Sequence, residues 1–148
     1  MEIDEAMVRR VADELEIRKL VARYANAVTA VDGDAWVDTW AEDGSWTIGG
    51  GTSTGHEALR ATWTRLIGFF DIVVQLPQHA LLDISGDHGT GRWSMIEMGR
   101  GKDSGPPSIT LGSYTDVYRR EAAGWKFAER QFDFTYSGAT DLTGHWFI

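Results

Sequence analysis

The sequence contains no cysteine, which excludes disulfide bonds, thiolate nucleophiles and cysteine-bound metal ions among its 148 residues. No apolar run approaches the roughly 20 residues that span a bilayer, so we expect no membrane segment. Basic residues are scarce: 14 lysines and arginines stand against 22 acidic residues, a net charge of -8. This charge opposes a phosphate backbone and disfavours nucleic-acid binding. Residues 1–10 lack the basic and apolar order of a secretion signal, so we expect a cytoplasmic protein.

What the sequence does have is the composition of one globular domain. Hydrophobic residues make up 43% of the chain and charged residues 24%. A chain of 148 residues can bury one sizeable core but is too short for two ordinary ones. We therefore predict a single domain over residues 1–148.

The first half of the chain has the apolar spacing of helices. Between residues 5 and 31, apolar side chains recur every three to five positions with charges between them, which predicts a long amphipathic helix. Residues 32–34 interrupt the pattern, and Asp34 can cap a short second helix with Trp36 and Trp40 on one face. After a flexible turn at residues 49–54, a third helix is predicted from residue 57 to about residue 70.

The remaining sequence predicts strands. Extended runs separated by turn signals fall at residues 45–48, 73–84, 91–98, 108–119 and 125–136. Helices followed by a meander predict an α+β fold, in which N-terminal helices pack on a curved antiparallel (mixed) β-sheet and enclose a pocket as a cone. The apolar tail at 140–148 is expected to fold back as a lid or to pack on a second subunit. We accordingly predict a homo-oligomer, either a dimer or a trimer.

Among the histidines, only His79 falls inside a predicted strand, at its head. Its imidazole could act as a general acid or base near neutral pH. The alternative is a histidine that is hydrogen-bonded in the core or at a sheet edge. His56 and His88 fall in predicted loops, where simple solvation accounts for them. No histidines and carboxylates have metal-ligand spacing, so we expect no metal site.

Arg130 lies on the last predicted strand, where alternation places Phe132 and Phe134 on the same face. If this face is the inner one, an arginine among aromatic rings could bind an anion or a polarised carbonyl group. The alternative is an arginine that pairs with a carboxylate over the sheet. By the same alternation, Trp93 shares a face with Met95. Each of these residues is compatible with a pocket wall and with a packed core.

Several short segments follow one another in an order that carries a family resemblance. They are Ile17-x-x-Leu20-x-x-x-Tyr24-Ala25, Asp32-Gly33-Asp34-x-Trp36, Trp40-x-Glu42-Asp43-Gly44, Gly55-x-Glu57-Ala58, Trp46-Thr47-Ile48, Gly112-x-Tyr114-Thr115-x-x-Tyr118, Trp125-Lys126-Phe127 and Gly144-x-x-Phe147. Over nearly the whole chain they resemble the SnoaL-like group of the NTF2-like superfamily. Within that group the pattern is most similar to the hexachlorocyclohexane dehydrochlorinases, and more distantly to scytalone and bile-acid dehydratases.

The resemblance implies roles for particular residues. His79 corresponds to the catalytic histidine, Arg130 to a pocket arginine, and Tyr24 to a catalytic tyrosine or lysine. Thr29 falls where these enzymes have an aspartate that orients the histidine, and Asp32 is the nearby acid that could replace it. The expected substrate-binding residues, from the resemblance and from the shared faces, are Val28, Trp46, Trp93, Met95, Tyr114, Phe132 and Phe134.

Two functions that use a pocket are open at this point, and a third, an interaction protein, would be favoured by a cone packed solid by Trp46, Trp93 and Phe132. One is a lyase or isomerase without a cofactor, such as a dehydratase or cyclase, that binds a hydrophobic oxygenated small molecule and moves a proton with His79. Tyr24 and Arg130 would then stabilise negative charge on oxygen. The other is a non-catalytic binding or accessory protein of the same fold, because Thr29 replaces the aspartate. A carboxylate within hydrogen-bond reach of His79 would favour the enzyme.

Overall fold

A computed structural model describes residues 4–147, in which three helices precede or interrupt a set of six strands. The helices are α1 (Glu5–Ala30), α2 (Gly33–Asp38) and α3 (His56–Ile67). The strands are β1 (Trp40–Ile48), β2 (Gly51–Thr54), β3 (Phe70–Ser85), β4 (His88–Gly101), β5 (Pro107–Glu121) and β6 (Gly124–Ala139). The predicted α+β class is confirmed.

The first helix begins at a side-chain cap and ends in a left-handed residue. The Oδ1 atom of Asp4 accepts a hydrogen bond from the backbone N–H of Ala6, at 3.0 Å. Val31 ends the helix with a φ of 56°, a conformation that β-branched residues rarely adopt. The face of α1 that packs on the sheet carries Ile17, Leu20, Tyr24 and Val28. Neither α1 nor another helix in the described part of the chain is long and apolar enough to cross a membrane.

The second helix starts at a different cap from the one predicted. Asp32, not Asp34, caps α2, because its Oδ1 atom accepts a hydrogen bond from the backbone N–H of Ala35 at 3.0 Å. Asp34 lies inside the helix. Trp40 is also not helical: it is the first residue of β1, although its ring still packs against Trp36 with the centroids 5.4 Å apart.

The strands form one open, curved sheet in the order β2-β1-β6-β5-β4-β3. Neighbouring strands are antiparallel except β1 and β6, which run parallel. The turn predicted at residues 49–54 is shorter than expected. Gly49 and Gly50, with φ values of 60° and 81°, make the turn, and the residues after them pair with β1 as β2. Because β6, the last strand, pairs with β1, the first, residues far apart in the sequence lie side by side on the same face of the sheet.

The helices cover one face of this sheet. α1 contacts β3 and β6, and α3 contacts β1 and β2. Between them lies a cluster of aromatic rings around Trp36, whose centroid is 5.3 to 5.6 Å from those of Tyr24, Trp40, Trp46 and Trp63. Aromatic rings at these separations attract one another in addition to burying apolar surface. Tyr24, Trp46 and Trp63 also border the pocket described below.

Two histidines assigned to loops lie in regular structure instead. His56 is the first residue of α3, and its Nε2 atom is 3.1 Å from the backbone oxygen of Trp40. His88 is the first residue of β4. The predicted helix began at residue 57 and the predicted strand at residue 91, so α3 begins one residue earlier than predicted and β4 three residues earlier.

The chain after β6 has no regular secondary structure over residues 140–147. Phe147 is 96% exposed there. That this tail closes the pocket or packs on a second subunit stays a prediction, and residue 148 lies outside the described residues.

Candidate functional site

A pocket of about 220 Å³ opens between α1, α3 and the face of the sheet that the helices cover. Most of its wall is apolar or aromatic, and includes Val28, Trp46, Trp63, Leu66, Met95, Phe132 and Phe134. Its polar groups are few: two tyrosine hydroxyls on one side and a line of four polar side chains across the sheet. Apolar pockets with a small number of convergent polar groups are typical sites for small organic ligands.

The two tyrosine hydroxyls belong to Tyr24 on α1 and Tyr114 on β5. Their Oη atoms are 3.3 Å apart, and both side chains are buried. Burial raises the pKa of Tyr24, with Arg130 opposing the shift, and it raises the pKa of Tyr114 well above its ordinary range. Both hydroxyls therefore keep their protons at neutral pH. This tyrosine pair can donate hydrogen bonds to a ligand oxygen, including one that gains negative charge.

Arg130 lies behind the tyrosine pair and does not line the pocket. Its side chain is fully buried, and its guanidinium carbon is 3.7 Å from the ring centroid of Tyr114 and 4.3 Å from that of Tyr24. Asp116, its register partner on β5, neutralises it. Nε donates to Oδ1 at 2.8 Å and Nη2 to Oδ2 at 3.1 Å. Arg130 was interpreted either as an anion-binding pocket residue or as the partner of a carboxylate. The structure contains the second arrangement, and the ion pair is buried in the core.

A row of four polar residues crosses the sheet on the pocket side. Gln75 of β3, Glu97 of β4, Thr110 of β5 and Ser137 of β6 are successive register partners, and all four line the pocket. We call them the polar row. Nε2 of Gln75 donates to Oε2 of Glu97 at 2.7 Å, and the hydroxyl oxygens of Thr110 and Ser137 are 3.0 Å apart. Over residues 4–147, no cluster of three histidine or acidic side chains could hold a metal ion.

Glu97 is the ionisable member of the polar row. Burial raises the pKa of its carboxyl group, and the hydrogen bond from Gln75 opposes that shift because it favours the charged form. A carboxyl group in this environment exchanges its proton at a pH closer to neutral than an exposed glutamate does. That property suits a group that both accepts and returns a proton.

Comparison with known proteins identifies the family of this fold. The sequence profile of the SnoaL-like domain matches residues 9–131. The chain belongs to the SnoaL-like family. A candidate aromatic ring hydroxylase from Novosphingobium aromaticivorans is 30% identical to this SnoaL-like chain; the match covers 88% of this chain and 94% of that protein, with a TM-score of 0.81.

Two further solved structures share the fold at lower identity. Hexachlorocyclohexane dehydrochlorinase LinA-type3 from Novosphingobium barchaimii is 20% identical, with 95% of this chain and 97% of that chain covered and a TM-score of 0.83. A candidate scytalone dehydratase from Novosphingobium aromaticivorans is 17% identical, with 90% and 91% covered and a TM-score of 0.82. Curated protein sequences give no match. The resemblance to the SnoaL-like group, and with it the NTF2-like cone, is confirmed.

The SnoaL-like resemblance assigned proton transfer to His79, but this side chain is exposed and does not line the pocket. Between the register pairs Pro77–Met95 and Ala80–Trp93, β3 has two residues where β4 has one. His79 is one of those two, so it belongs to a β-bulge, which turns side chains away from the regular alternation. The hydrogen bonds and ion pairs of residues 4–147 include none between His79 and a carboxylate.

The two residues proposed to orient His79 have other partners. Thr29 is exposed at the end of α1, and its Oγ1 atom accepts a hydrogen bond from the backbone N–H of Gln75 at 3.3 Å. Asp32 is occupied as the cap of α2. Thr29 therefore connects the end of α1 to Gln75 of β3, whose side chain in turn donates to Glu97.

Six of the seven residues expected to bind substrate border the pocket: Val28, Trp46, Met95, Tyr114, Phe132 and Phe134. Trp93 does not. Its Nε1 atom donates to the hydroxyl of Tyr118 at 2.8 Å, and the guanidinium of Arg18 on α1 lies 5.8 Å from its ring centroid. Trp93 lies nearer the start of β4 than Met95, beside α1 and outside the pocket.

Sequence reasoning missed the polar row. One signal was present, because Glu97 is two residues from Met95 and alternation therefore places it on the face already assigned to the pocket. The other three members follow from the register between strands, which the sequence does not fix by itself.

Proposed function

We propose that this SnoaL-like protein is a lyase or isomerase that needs no cofactor and acts on a hydrophobic small molecule bearing oxygen. The observation that carries the proposal is the distribution of polar groups in the pocket. Apolar walls enclose two protonated tyrosine hydroxyls and one carboxyl group with a raised pKa. Such a pocket can bind a substrate by its apolar surface, orient its oxygen and move a proton. Dehydration, isomerisation and cyclisation all require these three capacities.

In this proposal the tyrosine pair binds the substrate oxygen. One hydroxyl donates to the other, and the second can donate to a carbonyl oxygen. That hydrogen bond strengthens when the reaction places negative charge on the carbonyl oxygen. The guanidinium of Arg130 does not touch the substrate, but its positive charge behind the rings of Tyr24 and Tyr114 favours negative charge at their hydroxyls. The aromatic wall keeps water away from the reacting atoms, which strengthens these electrostatic interactions.

The wall itself supports an aromatic substrate. The ring centroid of Phe132 is 4.8 Å from that of Tyr114 and 4.8 Å from that of Phe134, so these tilted and edge-on rings pack against one another in the wall. An aromatic substrate can make the same tilted or edge-to-face contacts with them. The name of the 30% identical protein refers to an aromatic ring, which is consistent with this class of ligand.

A second candidate is a non-catalytic binding or accessory protein. The observation that favours it is the position of His79, since no histidine lines the pocket in the described part of the chain. If the pocket had lost its proton-transferring group, the same apolar walls and tyrosine pair would still bind a hydrophobic oxygenated molecule.

Turnover of a co-purified molecule separates these two candidates. The protein is purified from its own host, any bound small molecule is identified by native mass spectrometry, and that molecule is incubated with fresh wild-type protein. An enzyme converts it, and the Tyr114→Phe variant, which lacks one hydrogen-bond donor to the charged oxygen, is slower by about 10². The matched control is Tyr136→Phe, because Tyr136 lies outside the pocket and its hydroxyl donates to the backbone of Ala139.

Two results count against the enzyme. Recovery of the molecule unchanged from the wild type supports the binding protein. Equal turnover by wild type and Tyr114→Phe would remove the tyrosine pair from the chemistry.

We also propose that the protein forms a homo-oligomer. Large apolar side chains remain exposed on the sheet, among them Leu81 at 78% and Tyr136 at 47%. A second subunit would cover such side chains. Sedimentation that shows only a 16.5 kDa species at micromolar protein would contradict the proposal.

A further inference from the structure

The pocket contains one carboxyl group that the family resemblance does not account for. Glu97 lies on β4 two residues from Met95, and both side chains line the cavity. It is the only acidic side chain in the pocket wall formed by residues 4–147. A single carboxyl group in a mostly apolar wall, with a hydrogen bond from Gln75, is poorly solvated when charged, and this cost makes it a stronger base than a carboxylate in water.

Gln75 fixes the position of this carboxyl group. Its Nε2 atom donates to Oε2 of Glu97 at 2.7 Å, and the hydrogen bond from its backbone N–H to Thr29 anchors β3 to the end of α1. Since Gln75 binds Oε2, the second carboxylate oxygen, Oε1, is left for a substrate. The Oε1 atom of Gln75 itself is buried and has no hydrogen-bond partner among the described residues.

The carboxyl group and the tyrosine pair share one environment. Burial is the main cause that raises the pKa of Tyr114, and the charge of Glu97 is among the causes that raise it further. The same cavity therefore contains tyrosine hydroxyls that can donate to a substrate oxygen and a carboxylate that can remove a proton. Hydrogen on the carbon next to a carbonyl group is the proton that such an arrangement would labilise.

From this geometry, and on the basis of the proposed function, we propose that Glu97 is the catalytic base of the pocket, that Gln75 positions it, and that the substrate is an aromatic carbonyl compound with hydrogen on the adjacent carbon. A carboxylate oxygen of Glu97 forms the new O–H bond as the C–H bond breaks. The electron pair of that bond forms a C=C bond, and the carbonyl π electrons move to oxygen. The tyrosine pair binds the resulting enolate oxygen. Return of the proton from Glu97 to carbon regenerates the carboxylate, so the step needs no oxidant or other reactant.

The raised pKa of Glu97 is consistent with this role. A carboxylate is a weak base for a carbon acid, and burial increases the affinity of Glu97 for a proton. The other ionisable groups around the reaction are Tyr24 on α1, Tyr114 on β5 and Arg130 on β6. Both tyrosines stay protonated and Arg130 stays charged at neutral pH. Burial also raises the pKa of Asp116, the partner of Arg130, so the titration is assigned to Glu97 by the shift of the pH profile in the Gln75 variant described below.

Hydrogen exchange into simple aryl ketones tests the inference. Acetophenone, indanone and α-tetralone are incubated in D₂O with the protein, and proton NMR follows the loss of hydrogen next to the carbonyl group above the protein-free rate. Wild type and Glu129→Gln, the same substitution at an exposed site of β6, should exchange equally. Glu97→Gln should still bind the ketones, as measured by saturation transfer, with exchange slower by about 10² to 10⁴.

The outcomes distinguish the inference from the proposed function. Equal exchange by wild type and Glu97→Gln overturns the role of Glu97 while the proposed function stands. A wild type that binds the ketones without exchanging them contradicts the proposed function and removes the basis of this inference. A wild type that binds none of them contradicts the substrate class.

A second variant covers the case in which Glu97→Gln does not fold. Gln75→Met removes the hydrogen bond that favours the charged carboxylate, so the pKa of Glu97 should rise. Exchange by wild type should increase as pH rises through that pKa, and in Gln75→Met the same increase should occur at higher pH. A profile that stays in place, or that moves to lower pH, would overturn the positioning role and the identity of the base.

Discussion

Replacing Asp116 by asparagine should leave a buried arginine without its counter-charge. The side chains of Asp116 and Arg130 are both fully inaccessible to solvent, and the hydroxyl of Tyr118 donates to the same carboxylate at 2.6 Å. The groups that would remain around the guanidinium are aromatic rings, and cation–π contacts are worth only about 0.5 to 2 kcal/mol. Breaking a buried ion pair by removal of one partner typically costs about 3 to 5 kcal/mol. We expect a loss of that size in the free energy of unfolding, out of a total of about 5 to 15 kcal/mol.

Urea unfolding followed by the fluorescence of the seven tryptophans measures this loss. The matched control is Asp43→Asn, whose ion pair with Arg119 lies at the surface and should contribute little. The double variant Asp116→Leu with Arg130→Met should recover most of the stability, because it removes both buried charges together. A loss below about 1 kcal/mol in Asp116→Asn would refute the view that this pair neutralises a desolvated charge.

Three further predictions follow from other parts of the structure. Burial raises the pKa of the Glu97 carboxyl group above 4.5 in the folded state. The protonated form therefore stabilises the fold below pH 4.5, and this stabilisation is lost as pH rises through the folded-state pKa. The free energy of unfolding in urea should therefore be higher for Glu97→Gln than for wild type at neutral pH, and the difference should become smaller in acid. A difference that does not change with pH would argue against a raised pKa of Glu97. Val31 has a φ of 56° and is 55% exposed, so Val31→Gly should raise stability by about 1 kcal/mol in thermal unfolding, and a decrease would contradict the strain at this position. His79→Ala should leave ketone exchange unchanged, because the side chain is exposed outside the pocket, and a large loss of rate would restore His79 as the base.

The elements of the fold were predictable because their patterns are local. The apolar spacing of α1 continues for seven turns, and its end was predicted to within one residue. The cap of α2 was harder, since Asp32 and Asp34 are both good capping residues and the choice depends on how the chain leaves the left-handed Val31. The parallel pairing of β1 with β6 joins the two ends of the sheet, and no local pattern contains that information.

The candidate site was predictable in its apolar wall and its tyrosine pair, and not in its acidic group. Trp46, expected from the family resemblance, and Phe132, expected from strand alternation, both line the pocket. His79 was chosen by residue type and resemblance, but a bulge, which depends on how β3 pairs with β4, removes it from the pocket face. Glu97 and Gln75 become neighbours only through the register of the same two strands.

Isotope incorporation during turnover tests the central claim most directly. The molecule that co-purifies with the protein is returned to fresh wild-type protein in D₂O, and mass spectrometry follows both its structure and its deuterium content. The account predicts a new product, or an exchanged substrate, that carries solvent deuterium on carbon, because the pocket removes and returns a proton. Recovery of the same molecule without deuterium would contradict the account and would identify the protein as a binding protein.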